Sequence, residues 1–294
     1  MDGGNKGVLY LCATPIGNLE DITLRALRLL KEVDLVAAED TRHTRKLFSH
    51  YDIHTPLTSY HEHNSRSKGR YLIDQLRAGK NVALVTDAGL PGVSDPGEKL
   101  TALAVSEGIR VVPVPGASAS LSALVVSGLP TGRFCFEGFL PARGAVRQRR
   151  LEDLKPEKRT LVLYESPHRL AATLSDLLEY LGPRRVCVAR ELTKQYEEIW
   201  RGSLIDAVPR FKEQPPRGEI TLVVEGLTEP AAGENRPLDE AGLTAMVVDL
   251  EQRGMSRKEA IKETSRRAGV SRREVYAVLV EQKNQGGSVP PGTD

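Results

Sequence analysis

The chain has 294 residues, 40% of them hydrophobic and 27% charged, and a formal net charge of +2. That length favours two domains of about 100–150 residues plus an appendage over one core, and no apolar run approaches the roughly 18–20 residues of a membrane-spanning helix, which excludes that class. So small a net charge leaves nucleic-acid binding to local clusters: residues 133–159 carry eight Lys/Arg against four Asp/Glu, and residues 253–283 carry nine against four Glu.

Residues 8–13 read as a buried strand, and Thr14-Pro15-Ile16-Gly17-Asn18 turns into a helix with Leu24, Leu27 and Leu30 on one face. A strand at 34–38 ends in the polar string Glu39-Asp40-Thr41-Arg42-His43. A short helix, a strand at 56–60, the tetrapeptide HEHN and a helix over 66–77 follow. Strand 81–86 opens into TDAGLPGVSDPG, residues 86–97, where three glycines and two prolines set a tight path. Asp95 is the expected cap of the next helix, with Pro96 in its first turn and Glu98 completing a capping box. Leu100, Leu103 and Ala104 face the sheet, and Gly108 ends the helix. A strand at 110–114 and the turn PGASA lead to a small-residue helix that stops near Gly128. Strands alternating with helices predict a parallel, right-handed α/β domain over residues 1–117.

The second half has another rhythm. Strands are expected at 134–140, 160–164, 185–190, 198–202 and 219–225, with 169–181 as the only long helix among them, so residues 118–228 read as a second α/β domain with a mixed sheet. Residues 229–237, rich in Pro, Gly and Glu, read as a linker. Ser256-Arg-Lys-Glu259 and Ser271-Arg-Arg-Glu274 are capping boxes after a first helix at 239–253, a helix-turn-helix pattern over 238–284. Its expected core is Leu243, Met246, Val247, Leu250, Ile261, Val270, Val275 and Leu279, and residues 285–294 read as a mobile tail. Cys12, Cys135 and Cys187 lie in apolar runs without metal-ligand spacing, which predicts buried free thiols. The polar start MDGGNKG has no apolar leader segment, which predicts a cytoplasmic protein.

GxGxxG after the first strand, GxxxxGK[ST], HExxH and GxSxG are all missing, so dinucleotide, P-loop, zincin and hydrolase chemistry lose their main support. What remains is a set of polar strand ends, at 39–43, 87–95, 115–119, 164–169 and 190–194, that can converge on one cleft between two domains. On spacing alone, residues 86–97 read equally as a capped connection or as the floor of a ligand site. Two histidines two apart in HEHN, with no third ligand, give no metal site.

In order and spacing, CATPIGNLEDIT, AAEDTRHT, SYHEHN, TDAGLPGVSDPG, VPGASA, FEGFLP, YESPHR, ARELTK and GEITLVVEG resemble the tetrapyrrole-methylase superfamily, over residues 6–228 and on its ribosomal-RNA branch. The helical tail resembles an extension that many members carry. The resemblance implies a two-domain α/β fold, S-adenosylmethionine held folded in the cleft, and a homodimer. It further implies 2'-O-methylation of a cytidine in the decoding centre of 16S rRNA, on the assembled 30S subunit. Around the cofactor it puts Asp87, Ala88, Gly89, Pro91 and Ser94, with Thr14, Pro15, Ser118, Ala119, Tyr164 and Leu192, and no metal. Where the tetrapyrrole branch has a GxGxGD-like loop after the first strand, this chain has Thr14-Pro15-Ile16-Gly17-Asn18, which weighs against a small tetrapyrrole substrate.

A ribose hydroxyl is a weak nucleophile, so a positioned base is sought among Glu39, Asp40, Glu165 and Glu191, with His43, His61, His63 and His168 as alternatives. Glu165 or Glu191 is the expected base, with Arg42 and Lys194 holding the RNA. Basic residues expected to grip the RNA backbone are Arg143, Arg147, Arg149 and Arg150, and in the tail Arg257, Lys258, Arg266, Arg267, Arg272 and Arg273. The competing readings are a tetrapyrrole-type small-molecule methyltransferase and a non-catalytic RNA-binding protein.

Overall fold

The computed structural model describes residues 6–228, 240–252, 254–268 and 270–285. The linker expected at 229–237, the start of the chain, the tail beyond 285 and the side chains of Arg266 and Arg267 lie outside the described residues. Residues through Leu227 pack as one compact unit, and those from Thr228 as another.

The first sheet is wholly parallel, in the order β3-β2-β4-β1-β5. Its strands are β1 (Val8–Cys12), β2 (Leu35–Ala38), β3 (Leu57–Ser59), β4 (Val82–Val85) and β5 (Arg110–Val114), joined by helices α1 (Leu24–Glu32), α2 (Thr41–His50), α3 (Ser65–Arg77) and α4 (Gly97–Ser106). β2 and β4 are buried throughout, because helices cover both faces. Val36, Ala38, Ala83 and Val85 meet Leu29 and Leu30 of α1 and Leu47 and Phe48 of α2. Their alternates Leu35, Ala37, Val82 and Leu84 meet Leu72 and Leu76 of α3 and Leu100 of α4. The two-residue period of the strands thus distributes one apolar run to two cores.

The second sheet has the order β6-β7-β10-β8-β9, from β6 (Phe134–Phe139), β7 (Thr160–Glu165), β8 (Arg185–Arg190), β9 (Glu198–Ser203) and β10 (Ile220–Val224). β6 runs parallel to β7 and every other pair is antiparallel. One face carries α6 (Gly144–Leu154), α7 (Leu170–Leu181) and α8 (Leu204–Glu213). Sequence reasoning found only α7. In α6 the buried stripe is Arg147, Leu151 and Leu154, and an arginine there hides the apolar period. In α8, Leu204, Ala207 and Phe211 form the buried stripe but Pro209 interrupts the helical signal. The other face is covered by α5 (Ala119–Val126): Ala123 and Leu124 pack on Val162, Cys187 and Val223 together with Ile16 and Leu192. Ile16 comes from the turn after β1, so that turn is anchored in the core under the second sheet.

The expected capping box before α4 takes another form. Pro96 is the N-cap residue, and Asp95 instead ties the loop by accepting the N–H of Gly97 at 2.7 Å and of Gly92 at 2.9 Å. The C-terminal unit comprises α9 (Glu240–Gln252), α10 (Arg257–Ala268) and α11 (Arg272–Gln285). Both of its capping boxes form. Ser256 N–H donates to Glu259 Oε2 at 3.1 Å and Ser271 N–H to Glu274 Oε2 at 2.6 Å, each with the reciprocal bond to the serine hydroxyl. All eight expected core residues lie in its apolar cluster or pack against it.

Candidate functional site

The loop after β4 and the turn after β1 are joined by an isolated antiparallel bridge at the carboxyl edge of the parallel sheet. Thr14 N–H donates to the Gly89 carbonyl at 2.9 Å and Gly89 N–H to the Thr14 carbonyl at 3.1 Å. The buried Thr14 hydroxyl also donates to the Thr86 carbonyl at 3.0 Å. Pro91 is buried and Ala88 exposed, so the loop is anchored at one point and open at another.

Both turns reach the second sheet. A Cβ on Gly17 would lie 2.4 Å from Lys194 Cγ and 2.7 Å from the Leu192 carbonyl, and Asn18 N–H donates to Thr193 Oγ1 at 3.0 Å. Gly138, at a bulge in β6 with φ +59°, leaves no room for a side chain because a Cβ would sit 2.8 Å from Ser94 Oγ. The two halves thus touch where residues 14–18 meet 191–194 and where Ser94 meets β6. Leu192, expected at the cofactor, is buried in the core beneath α5. Ser118 precedes α5 without capping it; its hydroxyl meets that of Ser120 at 3.1 Å, and Ala119 opens the helix. Tyr164 is half-buried, edge-on to Phe136 at 5.1 Å and tilted against Phe139 at 5.6 Å, and Phe139 is 55% exposed.

An acidic group lies at the ends of β2 and β4. Glu39 Oε2 accepts the Thr86 hydroxyl at 2.6 Å and Asp87 Oδ1 accepts the Asp40 N–H at 3.1 Å, leaving Glu39 Oε1 and Asp87 Oδ2 without partners among the described residues. Burial, and next the Glu39 charge, push the Asp87 carboxyl above its ordinary value. Asp40 is held at about 2 by its side-chain hydrogen bonds from Arg42 and by the Arg42 N–H, since it caps α2. An acid so easily ionised is a weak base, so Asp40 is corrected from base to helix cap. Arg42 leans on it at 2.8 Å and remains largely exposed.

Glu165 is a clearer correction. Its side chain is 1% exposed and fully engaged: Oε1 accepts Ser166 N–H at 2.7 Å, Oε2 accepts the Thr173 hydroxyl at 2.6 Å, and Arg169 Nε lies 3.4 Å away. Arg147, expected on RNA, completes the same network. It donates to Asp176 at 2.8 Å, to Thr173 Oγ1 at 2.9 Å and to the Pro141 carbonyl at 2.9 Å, with its side chain 9% exposed. Two carboxylates and two guanidiniums thus stitch α6 and α7 to the end of β7. Arg150 is bound to Glu137, whereas Arg143 and Arg149 are exposed.

Lys194 does not stand free to hold RNA, because it is braced between Glu191 at 2.8 Å and Glu219 at 3.1 Å. Burial works to raise the Glu191 carboxyl, but the Lys194 ammonium and the Glu219 N–H hold it below its usual range. For Lys194, burial works downward and the two carboxylates prevail, raising it. Glu219, Thr86 and Thr193 take part in these edges and were missed. The signal for Glu219 was its place at the head of β10, whose pairing with β8 is non-local. In the C-terminal unit, Arg257, Arg272 and Arg273 and Lys258 are exposed.

Residues 8–208 match the family Tetrapyrrole (Corrin/Porphyrin) Methylases. The chain is 51% identical over 278 residues to the Ribosomal RNA small subunit methyltransferase I of Halalkalibacterium halodurans, covering 95% of this chain and 96% of that protein. It is 48% identical to the protein of the same name from Synechocystis, covering 95% of this chain and 100% of that one. Among solved structures, uroporphyrin-III C-methyl transferase from Thermus thermophilus complexed with S-adenyl homocysteine aligns with a TM-score of 0.54 at 24% identity, over 74% of this chain and 97% of that one.

Proposed function

The chain belongs to the tetrapyrrole (corrin/porphyrin) methylases, and on that premise we propose that it methylates the 2'-hydroxyl of a cytidine in the decoding centre of 16S rRNA, on the assembled 30S subunit. The coarser statement is firm: it is an S-adenosylmethionine-dependent methyltransferase of ribosomal RNA. The observation that carries the reading is identity of 51% to an rRNA methyltransferase along 95% of the chain.

The cleft's donor set fits the cofactor. Uncapped first-turn amides of α5 suit a carboxylate, Asp87 Oδ2 suits ribose hydroxyls, and Ala88, Gly89 and Ala119 allow close approach of an adenine. When bound, S-adenosylmethionine would supply a methyl group activated by its sulfonium, the sulfur leaving as a neutral thioether. The protein's residues then align the acceptor, and such alignment is worth up to roughly 7–11 kcal/mol in favourable systems. With Glu165 buried, Asp40 capping and Asp87 given to the cofactor's ribose, Glu39 is the remaining carboxylate with a free oxygen at this edge. It orients or deprotonates the hydroxyl, a role worth about 10²–10⁴-fold. Glu191, Lys194 and Glu219 brace the opposite wall, and Arg42 stays available to a phosphate. Arg143, Arg149 and the basic residues of the C-terminal unit hold the RNA backbone. The enzyme works in the cytoplasm as a homodimer, to which Leu121 and Val125, exposed one turn apart on α5, offer an apolar contact.

The test is methyl transfer from labelled cofactor to 30S subunits, protein-free 16S rRNA and a tetrapyrrole in parallel, followed by mapping of the labelled nucleotide. Transfer to the tetrapyrrole and to neither RNA refutes the reading. Glu39→Gln lowers kcat and Asp87→Asn raises the KM for the cofactor; the reverse pattern exchanges their roles. Removing residues 237–294 weakens RNA binding more than cofactor binding, and equal losses contradict the assignment of the helical unit to RNA.

A further inference from the structure

Beside the wall formed by Glu191, Lys194 and Glu219 opens a recess of about 420 Å³, and its lining includes Arg190, Tyr196, Glu198, Arg210, Pro216 and Arg217. Its charge is unbalanced. Glu198 takes both Arg190 and Arg210, each at 3.2 Å, whereas the exposed Arg217 guanidinium has no ion pair or hydrogen bond among the described residues. Arg190 also donates to the Arg217 carbonyl at 3.3 Å, which fixes that residue's backbone against the end of β8.

Tyr196 stands at the rim, 67% exposed. Its loop is nonetheless held. Thr193 N–H donates to Glu197 Oε2 at 2.7 Å and Glu197 N–H to the Lys194 carbonyl at 3.1 Å. Glu191 at φ +51° and Thr193 at φ +64° adopt the left-handed conformation that strains residues other than glycine, a strain that clusters at binding sites. The same loop lies against Gly17 in the turn after β1, so the recess adjoins the candidate site.

An exposed aromatic ring on a fixed loop, lining one recess with an unpaired guanidinium, is a combination that receives a single-stranded nucleotide: the ring stacks on the base and the cation takes the phosphate. A duplex would present neither an open base face nor a backbone that dips into a recess. We propose that this recess binds an unpaired nucleotide of the RNA substrate that flanks the methylated one, its base on Tyr196 and its phosphate on Arg217. Arg190 and Arg210, pinned by Glu198, shape the walls. This rests on the reading of the substrate as RNA.

The experiment uses the full chain with Tyr196→Ala, Tyr196→Phe and Arg217→Ala, measuring methyl transfer to 30S subunits, binding to 30S and to protein-free 16S rRNA, and cofactor affinity by calorimetry. Tyr196→Ala raises the KM for 30S by about 5- to 150-fold, the range for loss of one stacked base, with kcat within about twofold. Tyr196→Phe keeps the wild-type KM. Arg217→Ala weakens RNA binding and makes the slope of log K against log salt shallower by about 0.7. Cofactor affinity stays unchanged in all three, which also reports that they are folded. Wild-type behaviour of both alanine variants overturns the proposal, as does an equal loss in Tyr196→Phe. Weakened binding to 30S with full affinity for protein-free RNA assigns the recess to a ribosomal protein and overturns it too. If the wild-type enzyme methylates no RNA, the substrate reading itself falls, a result distinct from the others.

Discussion

Replacing Thr173 by valine removes one hydroxyl from the buried network between β7, α6 and α7 and leaves its shape intact. Thr173 is 1% exposed, donates to Glu165 Oε2 at 2.6 Å and accepts from Arg147 at 2.9 Å. Hydrogen bonds to charged groups contribute about 1.5–3 kcal/mol each. Both partners keep other contacts, Glu165 with Ser166 and Arg169 and Arg147 with Asp176 and Pro141, so the expected loss is about 2–4 kcal/mol rather than the full sum of two bonds. For a folding unit of 150–250 residues that lowers Tm by roughly 4–16 °C. The single tryptophan, Trp200, lies against Phe211 over the same sheet, with ring centroids 5.5 Å apart, so its fluorescence in a urea titration reports this region. A loss under about 0.5 kcal/mol, at an unchanged dependence on urea, would mean that the network is solvated in solution and would refute the structural assignment of Glu165.

Glu165→Gln should cost stability but leave kcat within a few-fold of wild type at temperatures well below its Tm; a loss of a hundredfold or more in a variant as stable as wild type would restore Glu165 as the base. Arg149→Ala is expected to weaken rRNA binding and flatten its salt dependence, whereas Arg147→Ala should destabilise the fold, seen as a lowered Tm with the salt slope preserved. The side-chain hydrogen bond from Arg159, with the Arg159 N–H, holds the Glu157 carboxyl at about 2, below an ordinary 4.5. Its stabilisation is therefore complete above about 4.5 and lost as pH falls towards 2. Glu157→Gln should flatten acid unfolding in that window, and an unchanged acid limb would show that the pair contributes nothing.

The parallel sheet was readable because its strands are short and mostly apolar, with β2 and β4 buried throughout and each of those two ending in a polar string. The helical pair with its capping boxes was readable because those bonds are local, three residues apart. What escaped depends on partners distant in sequence. Arg147 looks like its exposed neighbours Arg149 and Arg143 until Thr173 and Asp176, on another helix, are brought to it. Glu165 sits in YESPHR like any strand-end acid, and only the return of α7 over β7 buries it. Lys194 reads as a free cation because Glu219 joins it through the pairing of β10 with β8. That the polar ends of β2 and β4 lie together was legible; the partners of the charged groups were not.

The order of synthesis runs against the order of the second sheet. β10 is the last of its strands to be made but stands in the middle, antiparallel to β7 on one side and to β8 on the other, with all five residues buried. Until residue 224 has emerged from the ribosome, β7 and β8 each present a bare edge to the other. Any product ending before Ile220 keeps two unpaired edges and an open core, the condition that invites association between chains. Premature termination in this gene is therefore expected to yield aggregating fragments rather than a smaller folded protein, even though the first sheet is complete by residue 114.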